Sequence, residues 1–269
     1  MSVQTLYTAA TGMDALQTKL DVIANNLANI NTTAFKKDRA NFEDLFYRHE
    51  ILPGLQDAIG EFTPVGIQVG LGSRVSSTQT DFVQGAFQQT NRQLDVAIEG
   101  QGLFQVTDPA TQQIVYTRAG NFSINANGNL VIGSASTGRL LEPPIQIPND
   151  AISISIGASG LVEVLQPGNS QLNQAGQIQL AKFINPEGLL KLGENLYAET
   201  VASGPPAVIG NPGTEGLGQL RQTFLEASNV EPVRELIDLI TTQRAFELNS
   251  QAVQAGDQIL QLVANLRRF

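Results

Sequence analysis

The sequence predicts an α+β fold in which N- and C-terminal helices pair as a coiled-coil core domain. An antiparallel β-rich domain is inserted between them, and an extended connector joins the two. Three observations carry this prediction. Apolar residues recur in heptads at both chain ends, the middle alternates short β-type runs with turn residues, and one intervening stretch has no period.

At the N-terminal end, Leu6, Met13, Leu20 and Leu27 are spaced by seven, and Ala9, Leu16, Ile23 and Ile30 form a second row three residues on. These are the a and d positions of a left-handed coiled-coil seam. Gly12 weakens the helix locally. At the C-terminal end, Ser228 and Glu231 have capping-box spacing, and Pro232 suits a first helical turn. Beyond them Leu239, Phe246, Val253 and Leu260 repeat every seven residues, with Thr242, Asn249 and Gly256 where a d row falls. That seam is mixed and admits a partner closely. The helix is expected from about residue 232 to 266, on the order of 50 Å long at 1.5 Å per residue.

The middle of the chain reads as strands. VAIEGQGLFQVTD and QIVYTRAGNFSINANGNLVIG are broken by turn residues, and Asn127-Gly128 marks a hairpin. ISISIGASGLVEVL repeats the theme with its turn near Gly157–Gly160, and IQLAKFI and NLYAET are further short runs. Residues 48–72 have no clear period and several Gly/Pro breaks. The GPPAVIGNPGTEGLG stretch (204–218) is expected as a long loop. The predicted partition is therefore 1–34 and 224–269 as the terminal-helix core, 35–75 as the connector, and 76–223 as the β-rich domain.

Composition excludes several classes of function. With 269 residues and 42% hydrophobic content the chain can bury a core, while a net charge of −9 argues against nucleic-acid binding. The chain has no cysteine and a single histidine, His49, which removes thiolate chemistry and the usual multi-histidine metal clusters. No cofactor or metal is expected. The N-terminus lacks a basic n-region and a continuous apolar stretch, so no cleavable signal peptide is expected. No run of 18 apolar residues exists, so the chain is not expected to insert in a membrane. Gly100-Gln101-Gly102 lacks the third glycine of a dinucleotide loop and reads as a tight strand connection. Asp95, Glu99, Glu163 and Glu187 are candidate glycosidase carboxylates, but surface exposure explains such groups better. No enzymatic activity is expected.

The terminal helices carry the informative signal. Residues 1–31 contain three charged groups (Asp14, Lys19 and Asp21), and residues 236–266 contain four (Asp238, Arg244, Glu247 and Asp257). An amphipathic helix facing water normally carries many more. In the heptad frame Asn25, Asn26, Asn29 and Asn31 fall at f, g, c and e, off the apolar seam. Those faces suit contact with protein rather than water. Two helices cannot surround each other, so the remaining cover must come from other subunits, and contacts that do not close give a helical filament. Leu16, Leu20, Ile23 and Leu27, with Phe246, Val253 and Leu260, are expected to carry core packing. Asn25, Asn26 and Asn29 are expected to make polar contacts between helices, and Phe35 and Asn249 complete the expected assembly interface.

VIANNLANINTTAFK resembles the N-terminal signature of the bacterial flagellar axial proteins, the rod and hook subunits. TTQRAFELNSQAVQAGDQILQLVANL resembles their C-terminal signature, and the resemblance covers essentially the whole chain. GIQVGLGSRVSSTQTDFVQGAFQQTNRQLDVAIEGQGLFQV, LGENLYAET and the connector point to the distal part of the rod. Ala34 departs from the pattern, since the family usually has glycine there. The resemblance implies a subunit of a hollow helical drive shaft crossing the periplasm, exported by the flagellar type III apparatus without cleavage. It implies an inner helical region (D0) and an outer β domain (D1). Implied partners are copies of itself, proximal rod proteins, hook-side proteins and the P- and L-ring proteins. A hook or proximal rod subunit with the same ends is the alternative. A periplasmic glycan-cleaving enzyme is the alternative from another class, and it requires a close carboxylate pair.

Overall fold

The computed structural model describes residues 3–54, 62, 64–133, 138–168 and 171–266. The chain divides into a helical unit, Met1–Ala28 with Asp38–Thr80 and Glu231–Phe269, and a β unit, Asn29–Lys37 with Asp81–Val230.

The helical unit contains α1 (Val3–Ala28), β1 (Asp38–Asp44), β2 (Tyr47–Ile51), β3 (Ile67–Gly70), β4 (Ser73–Thr80) and α2 (Pro232–Leu266). The C-terminal helix thus spans the expected residues. The two helices run antiparallel: Leu6 meets Gly256, Gly12 meets Asn249, and Asn26 meets Glu235. The heptad rows explain which face α1 turns inward. Leu6, Met13, Leu20, Leu27, Ala9 and Leu16 are half-buried and Ile23 is buried, whereas Tyr7, Asp14, Asp21 and Ala28 form the exposed stripe. A second side of α1 rests on β1 and β4, with Gly72 set against the Thr11 side chain.

Residues 35–75, expected as an extended connector, hold paired strands. β1 pairs antiparallel with β4, with Asp38 opposite Thr80 and Asp44 opposite Ser73. β2 pairs antiparallel with β3, with Tyr47 opposite Gly70. Every residue of β2 is exposed. An element with neither face buried has no apolar alternation, which is why the sequence shows no strand period here. His49 lies exposed on β2.

The β unit begins with β5 (Phe87–Gln89), β6 (Val96–Glu99), β7 (Leu103–Thr107), β8 (Ile114–Thr117), β9 (Ser123–Ile124), β10 (Leu130–Gly133) and β11 (Gly138–Leu141). It continues with β12 (Ser153–Ile156), β13 (Leu161–Leu165), β14 (Asn173–Gln177), β15 (Leu180–Lys182), β16 (Leu190–Gly193) and β17 (Leu196–Ala198). β18 (Val208–Gly210), β19 (Gln219–Gln222) and β20 (Phe224–Glu226) complete it. The main sheet has the order β16-β17-β8-β7-β11-β10-β9, with β15 also on β7 and β18 on β15. β12-β13-β14 form a second sheet, and β6 pairs with β19 and β5 with β20. Every one of these pairings is antiparallel.

Asn127-Gly128 turns the chain between β9 and β10, with Gly128 N donating to Asn125 O at 2.9 Å. The 204–218 stretch is not all loop, since β18 lies within it. The core gathers Val96, Ile98, Phe104, Val106, Phe122 and Leu130, with Phe104 and Phe122 edge-to-face at 5.1 Å. Burying side chains of this size contributes about 1.5–3 kcal/mol each.

Candidate functional site

In the helical unit the expected interface residues separate by face. Ile23 is buried, and Leu16, Leu20 and Leu27 are half-buried on α1; Phe246, Asn249, Val253 and Leu260 are half-buried on α2. On α2 they share a side with buried Glu235, Thr242 and Gly256. A Cβ added at Gly256 would overlap Leu6 Cδ2, so the glycine sets how closely the helices approach there. The opposite faces of α2 are apolar too: Val233 is 70% exposed, Leu248 65% and Leu262 63%.

The asparagines do not act as one group. Asn25 is exposed. Asn26, expected to make polar contacts between helices, is buried within its own chain. Its Nδ2 donates to Asp38 O at 2.9 Å, its Oδ1 accepts from Asp38 N at 2.9 Å, and Nδ2 also reaches Glu235 Oε2 at 3.4 Å. The g position flanks the seam, and at the last turn of α1 it faces β1 and α2 together. Asn26 therefore satisfies the backbone of the first β1 residue at both N–H and C=O, using the acceptor and the donor of its one amide group. Asn29 lies in the turn after α1, where its Oδ1 accepts from Thr32 Oγ1 at 3.1 Å and its carbonyl from Thr32 N at 3.2 Å.

Within the β unit, segments 29–37, 81–86 and 226–230 meet at a buried ionic cluster. Glu226 Oε1 accepts from Lys36 Nζ at 2.6 Å and from Gly85 N at 2.9 Å, and Oε2 accepts from Arg118 Nε at 2.6 Å. Lys36 Nζ also donates to Val83 O at 2.8 Å. Arg118 donates to the carbonyls of Gly102 (2.6 Å), Gly100 (2.6 Å) and Ile98 (3.0 Å). Gly100 and Gly102 have φ +110° and +139°, a backbone glycine adopts freely, and the tight strand connection they form turns its carbonyls to the guanidinium. All three charged side chains are nearly inaccessible.

Burial pushes the Lys36 ammonium below its ordinary value against the pull of Glu226. For Glu226 burial pushes the carboxyl up, yet Arg118 and Lys36 outweigh it and hold the group below the usual carboxylate value. Two cations on one carboxylate leave an excess positive charge, which the carbonyl dipoles of Val83, Ile98, Gly100 and Gly102 solvate.

The turn after α1 is fixed by the same cluster. Ala34 is buried with φ +58°, and its N–H donates to Glu226 O at 2.8 Å. The left-handed backbone, which glycine adopts most freely, is held here by an alanine. Phe35 is half-buried beneath Lys191, whose Nζ lies 5.3 Å from the ring centroid. Lys37 N donates to Asn229 Oδ1 at 2.8 Å, and Asn229 Nδ2 donates to Asp81 O at 2.8 Å. Asn195 of the LGENLYAET motif donates to Thr33 O at 2.9 Å. Sequence reasoning does not single out Lys36, Arg118 or Glu226. The available signal is that Lys36 and Glu226 are charges set among small and apolar residues in NTTAFKK and TFLEASNV. The candidate carboxylates Asp95, Glu99, Glu163 and Glu187 sit on different elements, with Asp95 buried and Glu99 and Glu187 exposed. Among the described residues no helix is long and apolar enough to cross a membrane.

Three family profiles match the chain. "Flagella basal body rod protein" covers residues 6–36, "Flagellar hook protein FlgE/F/G D1 domain" residues 97–164, and "Flagellar basal body rod FlgEFG protein C-terminal" residues 221–266. The flagellar basal-body rod protein FlgG of Borreliella burgdorferi is 44% identical over 268 residues, 99% of each chain. FlgG of Caulobacter vibrioides is 45% identical over 266 residues, covering 98% of this chain and 100% of its own. FlgG of Buchnera aphidicola subsp. Baizongia pistaciae is 42% identical over 264 residues, with the same coverage.

Proposed function

The chain belongs to the FlgG family of flagellar basal-body rod proteins, and from that premise we propose that it builds the distal rod, a hollow helical shaft that passes motor torque to the hook. It is a structural subunit of the basal body and not an enzyme.

The observation that carries the polymer reading is the apolar surface of α2 turned away from α1. Val233, Ile237, Ile240, Leu248 and Leu262 are exposed in a single chain. Exposed apolar surface on that scale marks a contact with other protein. In this reading the helix pair is a coiled-coil core region (D0) covered by neighbouring copies, and the β unit is the outer domain (D1). The β2–β3 hairpin, with Phe46 88% and Val65 78% exposed beside it, braces adjacent subunits. An isolated two-strand hairpin is marginal alone, so contact with a neighbour supplies its stability. Leu16, Leu20, Ile23, Leu27, Phe246, Asn249, Val253 and Leu260 hold the helix pair together, and Asn25 and Asn29 contact neighbouring helices. Asn26 is assigned instead to the chain's own fold.

The same reading gives the partners: copies of itself, proximal rod proteins below, hook-side proteins above, and the P- and L-ring proteins around a shaft spanning the periplasm. The flagellar type III apparatus exports the subunit. Electron microscopy of the purified protein under polymerising conditions tests the proposal. Straight tubes are expected; curved or supercoiled ones indicate a hook subunit, and a persistent monomer overturns the polymer.

A further inference from the structure

We propose that Lys36, Arg118 and Glu226 form an acid-releasable clasp that fastens segment 29–37 to the β unit while the body of that unit stays folded. The attachment of this segment is chiefly polar. Ala34 N bonds Glu226 O (2.8 Å), Lys37 N bonds Asn229 Oδ1 (2.8 Å), Asn229 N bonds Phe35 O (3.3 Å), Lys191 Nζ bonds Lys36 O (3.1 Å) and Asn195 Nδ2 bonds Thr33 O (2.9 Å). No residue of the segment belongs to the apolar core clusters; Ala34 is buried, and Ile30 and Phe35 are only half-buried. A region held by hydrogen bonds with few apolar contacts opens at lower free energy than the core.

Glu226 decides whether it opens. From the segment it faces Lys36; from the turn after β8 it faces Arg118; from residues 81–86 it receives only the Gly85 N–H. Of the other charges around the segment, Asp81 lies 3.9 Å from Lys37 and adds the smallest pull on Lys36, and Lys191 bonds the segment backbone. Protonating Glu226 leaves Lys36 and Arg118 as two uncompensated buried cations. Arg118 keeps its carbonyl acceptors at Ile98, Gly100 and Gly102, whereas Lys36 keeps only Val83 O. The strap that carries Lys36 is therefore the side that lets go.

Hydrogen exchange on the full chain tests this without reference to assembly. From pH 6 to pH 3, protection at the Ala34, Lys37 and Gly85 amides is expected to fall at least about tenfold, as the loss of the buried ion pair weakens the attachment. Amides of β7 and β8 keep theirs. Glu226→Gln reproduces the loss at pH 6, and Asp81→Asn does not. Lys36→Met removes the pH dependence, which keeps the test decisive if the glutamine variant fails to fold. Strap protection unchanged at pH 3, or lost together with β7 and β8, overturns the clasp.

Discussion

Glu226 is the residue on which most of the β unit's buried charge depends. Removing one partner of a buried ion pair leaves the other uncompensated, so Glu226→Ala is expected to cost about 3–5 kcal/mol in urea unfolding. A loss below about 1 kcal/mol contradicts the cluster's structural role. The pH sense follows from the direction of the shift. Arg118 and Lys36 hold the folded carboxyl below its ordinary 4.5, so the group contributes stability above that value and loses it as pH falls through the folded pKa. Wild-type stability should therefore drop below about pH 4.5 more steeply than that of Glu226→Gln, as unfolding curves at stepped pH will show. Ala34 is governed by a balance of smaller terms. Its left-handed backbone costs about 1–2 kcal/mol, while glycine would forfeit about 0.5–1 through chain entropy and about 0.8 from the buried methyl. Ala34→Gly should accordingly shift stability by less than about 1 kcal/mol, whereas Ala34→Val, β-branched at positive φ, should destabilise clearly. The near-balance explains how alanine persists here.

At the scale of elements, the contact between Leu6 and Gly256 fixes the approach of α1 to α2. Leucine is a better helix former than glycine by roughly 0.8 kcal/mol, so any loss in Gly256→Leu comes from packing. Overpacking typically costs about 1–3 kcal/mol, and Leu6→Ala in the same chain should recover most of it. Thermal unfolding followed at 222 nm measures both, and a single variant more stable than wild type would refute the close approach. The two helices were legible because a strict seven-residue period survives without tertiary information. Asn26 was legible only in part, because its heptad position says which side of α1 it occupies but not that β1 arrives there. The β2–β3 pair left no trace because a strand exposed on both faces has no alternation to read. Lys36 and Glu226 meet across 190 positions, and neither segment alone says that its charge is buried.

For the whole molecule, a lone chain exposes apolar helix surface that assembly would cover, so assembly and helix stability should be coupled. Helices without their full set of partners are marginal, whereas the β unit has its own closed core. Limited proteolysis of the monomer should therefore cut within α1 and α2 first and leave a resistant fragment covering residues 81–230. Ends as resistant as the β unit would show that the helices are self-sufficient. Leu20→Asp separates the two levels further. It places a charge on the inward face of α1, where Leu20 is half-buried, and leaves the β unit's sequence untouched. The variant should retain the resistant fragment and the wild-type exchange protection of β7 and β8, yet form no tubes by electron microscopy. Normal tubes from Leu20→Asp would mean that the helix seam is not what the polymer is built on. Loss of the fragment along with the tubes would mean that the two units do not fold independently.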